Sequence, residues 1–190
     1  NTGYITNFEG TSAATPITCG ELGLFFQMWA TGLFGNTLRD PLCNPTMENC
    51  IFKNRSSAAT AKAMLINTAR QFDFTVPPES PSAANPSLTR FVQGWGFPMI
   101  GKAYALARRN AFPIIIDETD PLIAFYHNSY GLTVPANTYS LKITMVYTDR
   151  SPDLSASIAL VNDLSLSVTQ GVPPNEVTYR GNHGLMNNLW

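Results

Sequence analysis

The chain has few charged residues and almost no net charge. It contains 12 Lys and Arg against 13 Asp and Glu, so charged residues make up 13% of its 190 positions and the net charge is -1. A soluble domain typically carries about 25% charged residues. Because a balanced chain has no general attraction for a phosphate backbone, we expect no nucleic-acid partner.

Long apolar runs and a targeting pattern are also missing. Apolar runs such as residues 114–116 are far shorter than the roughly 18 to 20 residues of a membrane span, so we expect no membrane span. Residues 1–4 show neither an initiator Met nor the basic-then-apolar pattern of a signal peptide. We therefore expect the sequence to be a piece of a longer protein.

Cysteine is scarce and odd in number, with Cys19, Cys43 and Cys50. At most one disulfide can form within the chain, and Cys43 and Cys50 bracket a polar stretch that suits a small closed loop. Three free thiols are an equally good interpretation. A zinc site needs about four ligands, and only His127 and His183 accompany the thiols, so we predict no metal site of this kind.

Two other kinds of pattern are compatible with a modification site and with metal binding, but each also has a simpler interpretation. Asn54-Arg55-Ser56 has the form of a glycosylation acceptor, a tripeptide that often arises by chance. Carboxylates cluster over residues 117–120, where they supply oxygen ligands of the kind calcium prefers. The cluster lacks the loop pattern of a dedicated calcium site, so a solvated acidic turn is the favoured interpretation. The same choice applies to Asp149 with Asp153 and to Asn162 with Asp163.

The first half of the chain has apolar residues at helical spacing. This spacing predicts helices over about 15–29, 57–69 and 99–108. Apolar side chains surround the first of these, which predicts burial on most sides. We expect glycines after residue 31 to end this helix, and Ser56 or Ser57 to cap the second. A proline-rich stretch near residues 76–86 predicts an exposed loop.

Beyond about residue 110 the pattern becomes an alternation of apolar and polar residues. It predicts a strand over 141–147 and short strands over 158–160, 164–169 and 177–179, separated by Asp, Pro and Gly. Several short strands at close spacing favour an antiparallel sandwich. We therefore expect an α+β chain with domains over 1–109 and 110–190.

The segment from Gly10 to Pro16, GTSAATP, is the best candidate for chemistry. Ser12 falls at the expected start of a helix, where backbone N–H groups and the helix dipole suit an anion or an oxyanion. Pro16 is expected within the first turn, where a missing N–H costs little. The simpler interpretation is that Ser12 is an ordinary helix N-cap.

GTSAATP resembles the nucleophile motif of the subtilisin-like serine proteases, Gly-Thr-Ser-x-Ala-x-Pro, with Ala13 where that family often has Met. Three later segments resemble that family in the same order. Residues 62–69 resemble a late helix of the catalytic domain, residues 93–96 and 103–106 its closing stretch, and residues 146–149 and 160–164 the sandwich that follows it in one branch. The resemblance implies the helical C-terminal part of a subtilase α/β domain, followed by a jelly-roll-like β-sandwich.

The resemblance also implies roles for individual residues. Ser12 is the nucleophile that attacks a peptide or protein substrate and forms an acyl-enzyme, while the N–H of Ser12 and the hydroxyl of Thr11 assist the oxyanion. The family orders its triad Asp, His, Ser along the chain. Only eleven residues precede Ser12, and none is Asp or His. We therefore expect the isolated chain to be inactive without the missing N-terminal part of the protease domain.

Further expectations follow from the same resemblance. His127 and His183 are assigned to surface or loop hydrogen bonding. No cofactor is expected beyond structural calcium, and a secreted or extracytoplasmic location is favoured. The alternative function, from a different class, is a non-catalytic binding module or pseudoenzyme whose sandwich contacts a protein or a glycan.

The family resemblance has a structural consequence for the helix after Ser12. In the family, a parallel sheet contributed by earlier residues covers this helix. Its apolar residues would lose most of that cover here, and exposed apolar patches favour association. We therefore expect a homo-oligomer, with repacking of the helical half against its own sandwich as the alternative. The residues concerned are Leu24, Phe25, Phe26, Met28 and Trp29.

Overall fold

The computed structural model describes residues 10–43, 49–71, 93–109 and 122–181. These residues form an α+β arrangement, which confirms the expected class at this level. The elements are the helices α1 (Thr11–Ala30), α2 (Cys50–Lys53), α3 (Ala58–Thr68) and α4 (Ile100–Arg108), and the strands β1 (Ser167–Gln170) and β2 (Val177–Arg180).

The chain divides into two compact units, Asn1–Thr144 and Met145–Trp190, here called the helical unit and the strand unit. The domain boundary expected between residues 109 and 110 borders residues outside the described ranges and stays a prediction. The proline-rich loop expected near residues 76–86 also lies outside them. None of the described helices combines the length and the apolar character that a membrane crossing requires.

The end of α1 is fixed by local hydrogen bonds that the sequence signals. Gly32 follows the C-cap residue Thr31 with φ 69°, a left-handed conformation that glycine adopts without a steric penalty. The N–H of Gly32 donates to the Trp29 carbonyl at 3.0 Å, and the N–H of Leu33 donates to the Met28 carbonyl at 3.2 Å. This pair is a Schellman motif, and it turns the chain back towards its own helix.

That reversal builds the core of the helical unit. Phe25 lies with its ring centroid 5.8 Å from those of both Trp29 and Phe34, and it is completely buried. Residues from α3 and α4 complete the cover, since Ala61, Ile100 and Ala103 belong to the same buried cluster. Each large aromatic side chain buried in this way contributes about 1.5–3 kcal/mol.

The core corrects the picture expected for α1. Phe25 and Trp29 are buried by the chain itself, and Phe26 and Met28 are half-buried, whereas Leu24 is 54% exposed. The helix is therefore not buried on most sides, because its N-terminal half is largely exposed and its core face lies near its C-terminal end. The self-association expected from five uncovered apolar residues stays a prediction. The apolar surface that α1 exposes for it is smaller than expected, because the chain itself buries two of the five residues.

The other two long helices match their predicted ranges closely. Ser57 is the N-cap of α3, and its Oγ accepts a hydrogen bond from the N–H of Thr60 at 3.1 Å, which selects Ser57 over Ser56. At the start of α4, the N–H of Ile100 donates to Oε2 of Glu21 at 2.6 Å. A carboxylate at a helix N-terminus also complements the helix dipole. Glu21 therefore attaches α4 to α1.

The strand predicted over residues 141–147 does not form. Instead, Lys142 Nζ donates to the carbonyls of Ile66 at 2.9 Å and Ala69 at 3.3 Å, at the C-terminal end of α3. Asn67 Nδ2 donates in return to the Lys142 carbonyl and to Thr144 Oγ1, both at 3.0 Å. Desolvation and the nearby Lys102 charge lower the pKa of Lys142. Residues 142 and 144 thus serve as a C-terminal attachment for α3.

In the strand unit, β1 and β2 pair antiparallel, with Val168 opposite Tyr179. The ladder continues beyond the strands through a hydrogen bond from the N–H of Gly181 to the Leu166 carbonyl at 2.8 Å. The strand predicted over 177–179 is confirmed, and the one predicted over 164–169 begins later, at Ser167. The strand predicted over 158–160 does not form. Within the described ranges this unit holds one two-stranded sheet.

Candidate functional site

The candidate site is the N-terminus of α1. Gly10 is the N-cap residue, and its carbonyl accepts from the N–H groups of Ala13 at 3.1 Å and Ala14 at 3.2 Å. Thr11 and Ser12 are therefore the first two helical residues, and both are exposed. The helix starts four residues before the predicted range, because the small residues after Gly10 continue it and the apolar spacing marks only its later turns.

This geometry corrects one interpretation of Ser12. An N-cap serine would precede the helix and accept a hydrogen bond from its first turn, whereas Ser12 is the second residue inside the helix. Within the described ranges, no side chain caps the first turn. Among the described residues, the Ser12 hydroxyl and the N–H groups of Thr11 and Ser12 have no hydrogen-bond partner. The hydroxyl is thus not used for capping.

The electrostatics of this helix end favour negative charge. The first turn contains no acidic residue, so no side-chain charge within the turn offsets the partial positive charge of the N–H groups that have no partner among the described residues. An oxyanion that develops within about 3 Å of these N–H groups would gain charge-assisted hydrogen bonds. The site can therefore stabilise an anion, which is one of the two requirements of an acyl-transfer nucleophile.

Pro16 lies deeper in the helix than expected. Since α1 begins at Thr11, Pro16 is its sixth residue, beyond the first turn, and the proline cannot donate a hydrogen bond to the carbonyl of Ser12. Two threonines turn their hydroxyls to other carbonyls nearby. Thr15 Oγ1 donates to the Thr11 carbonyl at 2.8 Å, and Thr18 Oγ1 donates to the Ala14 carbonyl at 3.1 Å.

The second requirement, a general base, is not met by the described residues. None of the hydrogen bonds of this part of the chain joins Ser12 to a histidine or a carboxylate, and His127 is exposed. His183 lies outside the described ranges. Groups of three or more His, Cys, Asp or Glu that could hold a metal ion are also missing from the described part. The roles of Ser12 and Thr11 stay predictions.

The cysteines adopt one of the two arrangements left open. Cys43 and Cys50 form a disulfide, with their Cα atoms 5.5 Å apart, and Cys19 is a free, exposed thiol. Of the two interpretations that the sequence left open, the structure therefore has the disulfide and not three free thiols.

Asp149 is a residue whose structural role the sequence did not reveal. Its carboxylate accepts hydrogen bonds from the N–H groups of Val161 at 2.8 Å and Asn162 at 3.2 Å, from Asn162 Nδ2 at 2.7 Å and from the N–H of Arg150 at 3.0 Å. Tyr147 Oη donates to the Asn162 carbonyl at 2.7 Å and reinforces the connection. The carboxylate of Asp149 is thus engaged by donors of its own chain, and the alternative of a calcium site there stays a prediction. Asp153 likewise accepts from the N–H and Oγ of Ser155.

We expect this carboxylate to fix residues 161–162 only while it is ionised. Desolvation opposes ionisation, but the hydrogen bonds from Val161, Asn162 and Arg150 lower the pKa of Asp149 below its ordinary value. A lowered folded-state pKa stabilises the fold above the unfolded-state pKa of about 3.9, and the stabilisation is lost as the pH falls through the folded-state value.

The backbone amide shifts of Val161 and Asn162, followed by NMR, should therefore be constant from about pH 7 to 5 and change below about pH 4. Asp149→Asn should abolish this acid transition and shift both amides already at neutral pH, whereas Asp163→Asn serves as the matched control. If Asp163→Asn removed the transition and Asp149→Asn kept it, the assignment to Asp149 would be wrong.

Glu21 was also missed by the sequence analysis. It caps a helix that begins 79 positions later in the chain, so no local pattern could indicate it.

No protein-family model matches the chain, and neither a curated protein nor a solved structure shows significant similarity to it. The subtilase hypothesis therefore depends on the short motifs and on the geometry at Ser12.

Proposed function

We propose that the chain is the C-terminal portion of a subtilisin-like serine endopeptidase, with Ser12 as its nucleophile. The observation that carries this proposal is the placement of Ser12, exposed at the second position of a 20-residue helix with its hydroxyl uncommitted among the described residues. Capping would have been the ordinary structural use of this serine, and Gly10 occupies the cap position instead.

In the proposed reaction, Ser12 Oγ attacks the carbonyl carbon of a peptide bond and its proton passes to a general base. The negative charge on the carbonyl oxygen is stabilised by the N–H of Ser12, with the Thr11 hydroxyl assisting. The C–N bond breaks, the amine leaves with the proton from the base, and water hydrolyses the acyl-serine. The base and its orienting carboxylate are proposed to come from polypeptide outside these 190 residues.

The rest of the proposal concerns location and architecture. The β1–β2 ladder is proposed to be one hairpin of the β-sandwich that follows the catalytic domain. The Cys43–Cys50 disulfide supports an oxidising, extracytoplasmic location, because such bonds are rare in a reducing cytosol.

A fluorophosphonate probe tests the nucleophile directly. We expect the 190-residue chain alone to react slowly, because no base activates Ser12, and a longer gene product that includes upstream polypeptide to be labelled rapidly. Ser12→Ala should reduce labelling and proteolysis of the longer product by several orders of magnitude. Ser151→Ala, at another exposed serine, is the matched control and should leave both unchanged.

Two outcomes would contradict this proposal in different ways. Rapid stoichiometric labelling of Ser12 in the 190-residue chain would show that the base lies within it. A longer product that is folded but unlabelled at Ser12 would favour the other candidate function, a pseudoenzyme or binding module. The observation that favours this second candidate is that, among the described residues, Ser12 has no hydrogen bond to a histidine or a carboxylate.

A further inference from the structure

The glycosylation motif Asn54-Arg55-Ser56 lies in an unusual environment. Such a motif ordinarily belongs to a surface loop, because the transferase must reach both the asparagine amide and the hydroxyl two residues later. Here Asn54 is 1% exposed and Ser56 is 6% exposed, and only the intervening Arg55 faces solvent. Both recognition groups of the motif are therefore buried.

The amide of Asn54 also makes a hydrogen bond at each end within the fold. Its Oδ1 accepts from the N–H of Asp40 at 2.8 Å, and its Nδ2 donates to the carbonyl of Asp40 at 2.9 Å. We call this pair of hydrogen bonds the Asp40 clamp. The hydroxyl of Ser56 donates in turn to the Ser57 carbonyl at 3.1 Å. Neither group is available to a transferase while these hydrogen bonds persist.

Several further contacts connect the residues around Asp40 to the residues around Asn54. The Cys43–Cys50 disulfide lies inside the clamp in sequence, and Cys50 is 1% exposed. The helix α2 begins at Cys50, and the N–H of Asn54 donates to the Cys50 carbonyl at 3.0 Å. Lys53 Nζ contacts Asp40 Oδ2 at 3.3 Å. The disulfide therefore holds in place the short helix that presents Asn54 to Asp40.

We propose that Asn54 is an N-glycosylation site only in the unfolded chain, and that formation of the disulfide and the Asp40 clamp withdraws it. Transfer forms a bond between Asn54 Nδ2 and the anomeric carbon of a glycan, and breaks the bond from that carbon to a polyprenyl pyrophosphate. The lipid pyrophosphate leaves, and the amide releases one proton. A glycan on Nδ2 has no space beside the Asp40 carbonyl, so glycan and clamp exclude each other.

The test compares the folded, oxidised chain with the same chain reduced and alkylated at its cysteines. Both are incubated with an oligosaccharyltransferase and a lipid-linked oligosaccharide, and glycopeptides are quantified by mass spectrometry. The variant Tyr139→Thr supplies an internal control, since it completes an acceptor motif at Asn137, which is exposed beside a fully exposed Tyr139. We expect Asn137 to be modified in both states and Asn54 only in the reduced state.

A reciprocal measurement separates accessibility from the clamp itself. Chains reduced without alkylation and glycosylated at Asn54 should fail to recover the Cys43–Cys50 disulfide on oxidative refolding, whereas chains carrying a glycan only at Asn137 should recover it. Equal modification of Asn54 and Asn137 in the folded chain would overturn the proposal. So would a reduced chain that accepts a glycan at Asn137 but none at Asn54, because Asn54 would then be no acceptor in any state.

Discussion

Replacement of Phe25 by alanine should lower the free energy of unfolding of the chain by about 3–5 kcal/mol. Phe25 is completely buried, and its ring contacts the rings of Phe26, Trp29 and Phe34 at centroid distances of 5.6–5.8 Å. Truncation removes the apolar transfer energy and also leaves a cavity among residues of α1, α3 and α4. Since domains are stable by only about 5–15 kcal/mol, this loss would bring the helical unit close to unfolding.

Urea denaturation followed by circular dichroism at 222 nm measures this effect, and tryptophan fluorescence, to which the buried Trp29 contributes together with Trp95 and Trp190, gives a second probe. Phe52→Ala is the matched control, because Phe52 belongs to the same unit and is 69% exposed. Its removal should change the free energy of unfolding by less than about 0.5 kcal/mol. Equal losses for the two variants would show that Phe25 does not occupy the core described here.

The helices were the part of the fold that could be predicted from sequence. A cap such as Ser57 and a terminator such as Gly32 act through hydrogen bonds within a few residues, so a short window contains the whole signal. The burial of a side chain by residues distant in sequence has no such local signal. Phe34 reaches Phe25 only because the chain reverses after α1, and Ile100 arrives from a distant helix. Local spacing therefore could not reveal that Phe25 and Trp29 have partners within the chain.

The strands were predicted less well for a related reason. Alternation indicates which residues share a face, but a strand also needs a neighbouring strand to pair with. Residues 177–180 have such a neighbour in β1. In residues 141–147, by contrast, the carbonyl of Lys142 accepts from the side chain of Asn67 at 3.0 Å. A pattern of period two cannot distinguish these two outcomes.

For the candidate site, the sequence indicated the place of Ser12 but not its surroundings. A glycine followed by small residues indicated a helix start near Ser12, and α1 begins one residue before it, at Thr11, although the apolar spacing predicted the helix only from about residue 15. The partners of a nucleophile are brought close by tertiary structure, so no local pattern around Ser12 could supply them. The motif at Asn54 shows the opposite error, because a local pattern typical of a surface loop lies in a buried one.

The second large effect is expected at Gly96. The backbones of Arg70 and Phe97 pair through two hydrogen bonds, of 2.9 Å and 2.8 Å, which connect the end of α3 to the approach to α4. A Cβ atom added at Gly96 would lie 2.2 Å from the carbonyl oxygen of Arg70, and φ at Gly96 is +99°. The atom in the way is backbone, so relief requires the pairing to break. We expect Gly96→Ala to cost on the order of 4 kcal/mol, from overpacking and backbone strain together.

Gly94→Ala separates these two causes. Gly94 also has a positive φ, of +59°, but an added Cβ there meets nothing within 4 Å. It should therefore cost only the left-handed backbone penalty of about 1–2 kcal/mol. The two free energies of unfolding, measured by urea denaturation of the full chain, should differ by about 2 kcal/mol or more. Equal losses would mean that backbone conformation alone requires glycine at both positions. In that case the backbone pairing between Arg70 and Phe97, which brings Arg70 close to Gly96, would contribute little to the stability of the contact between α3 and α4.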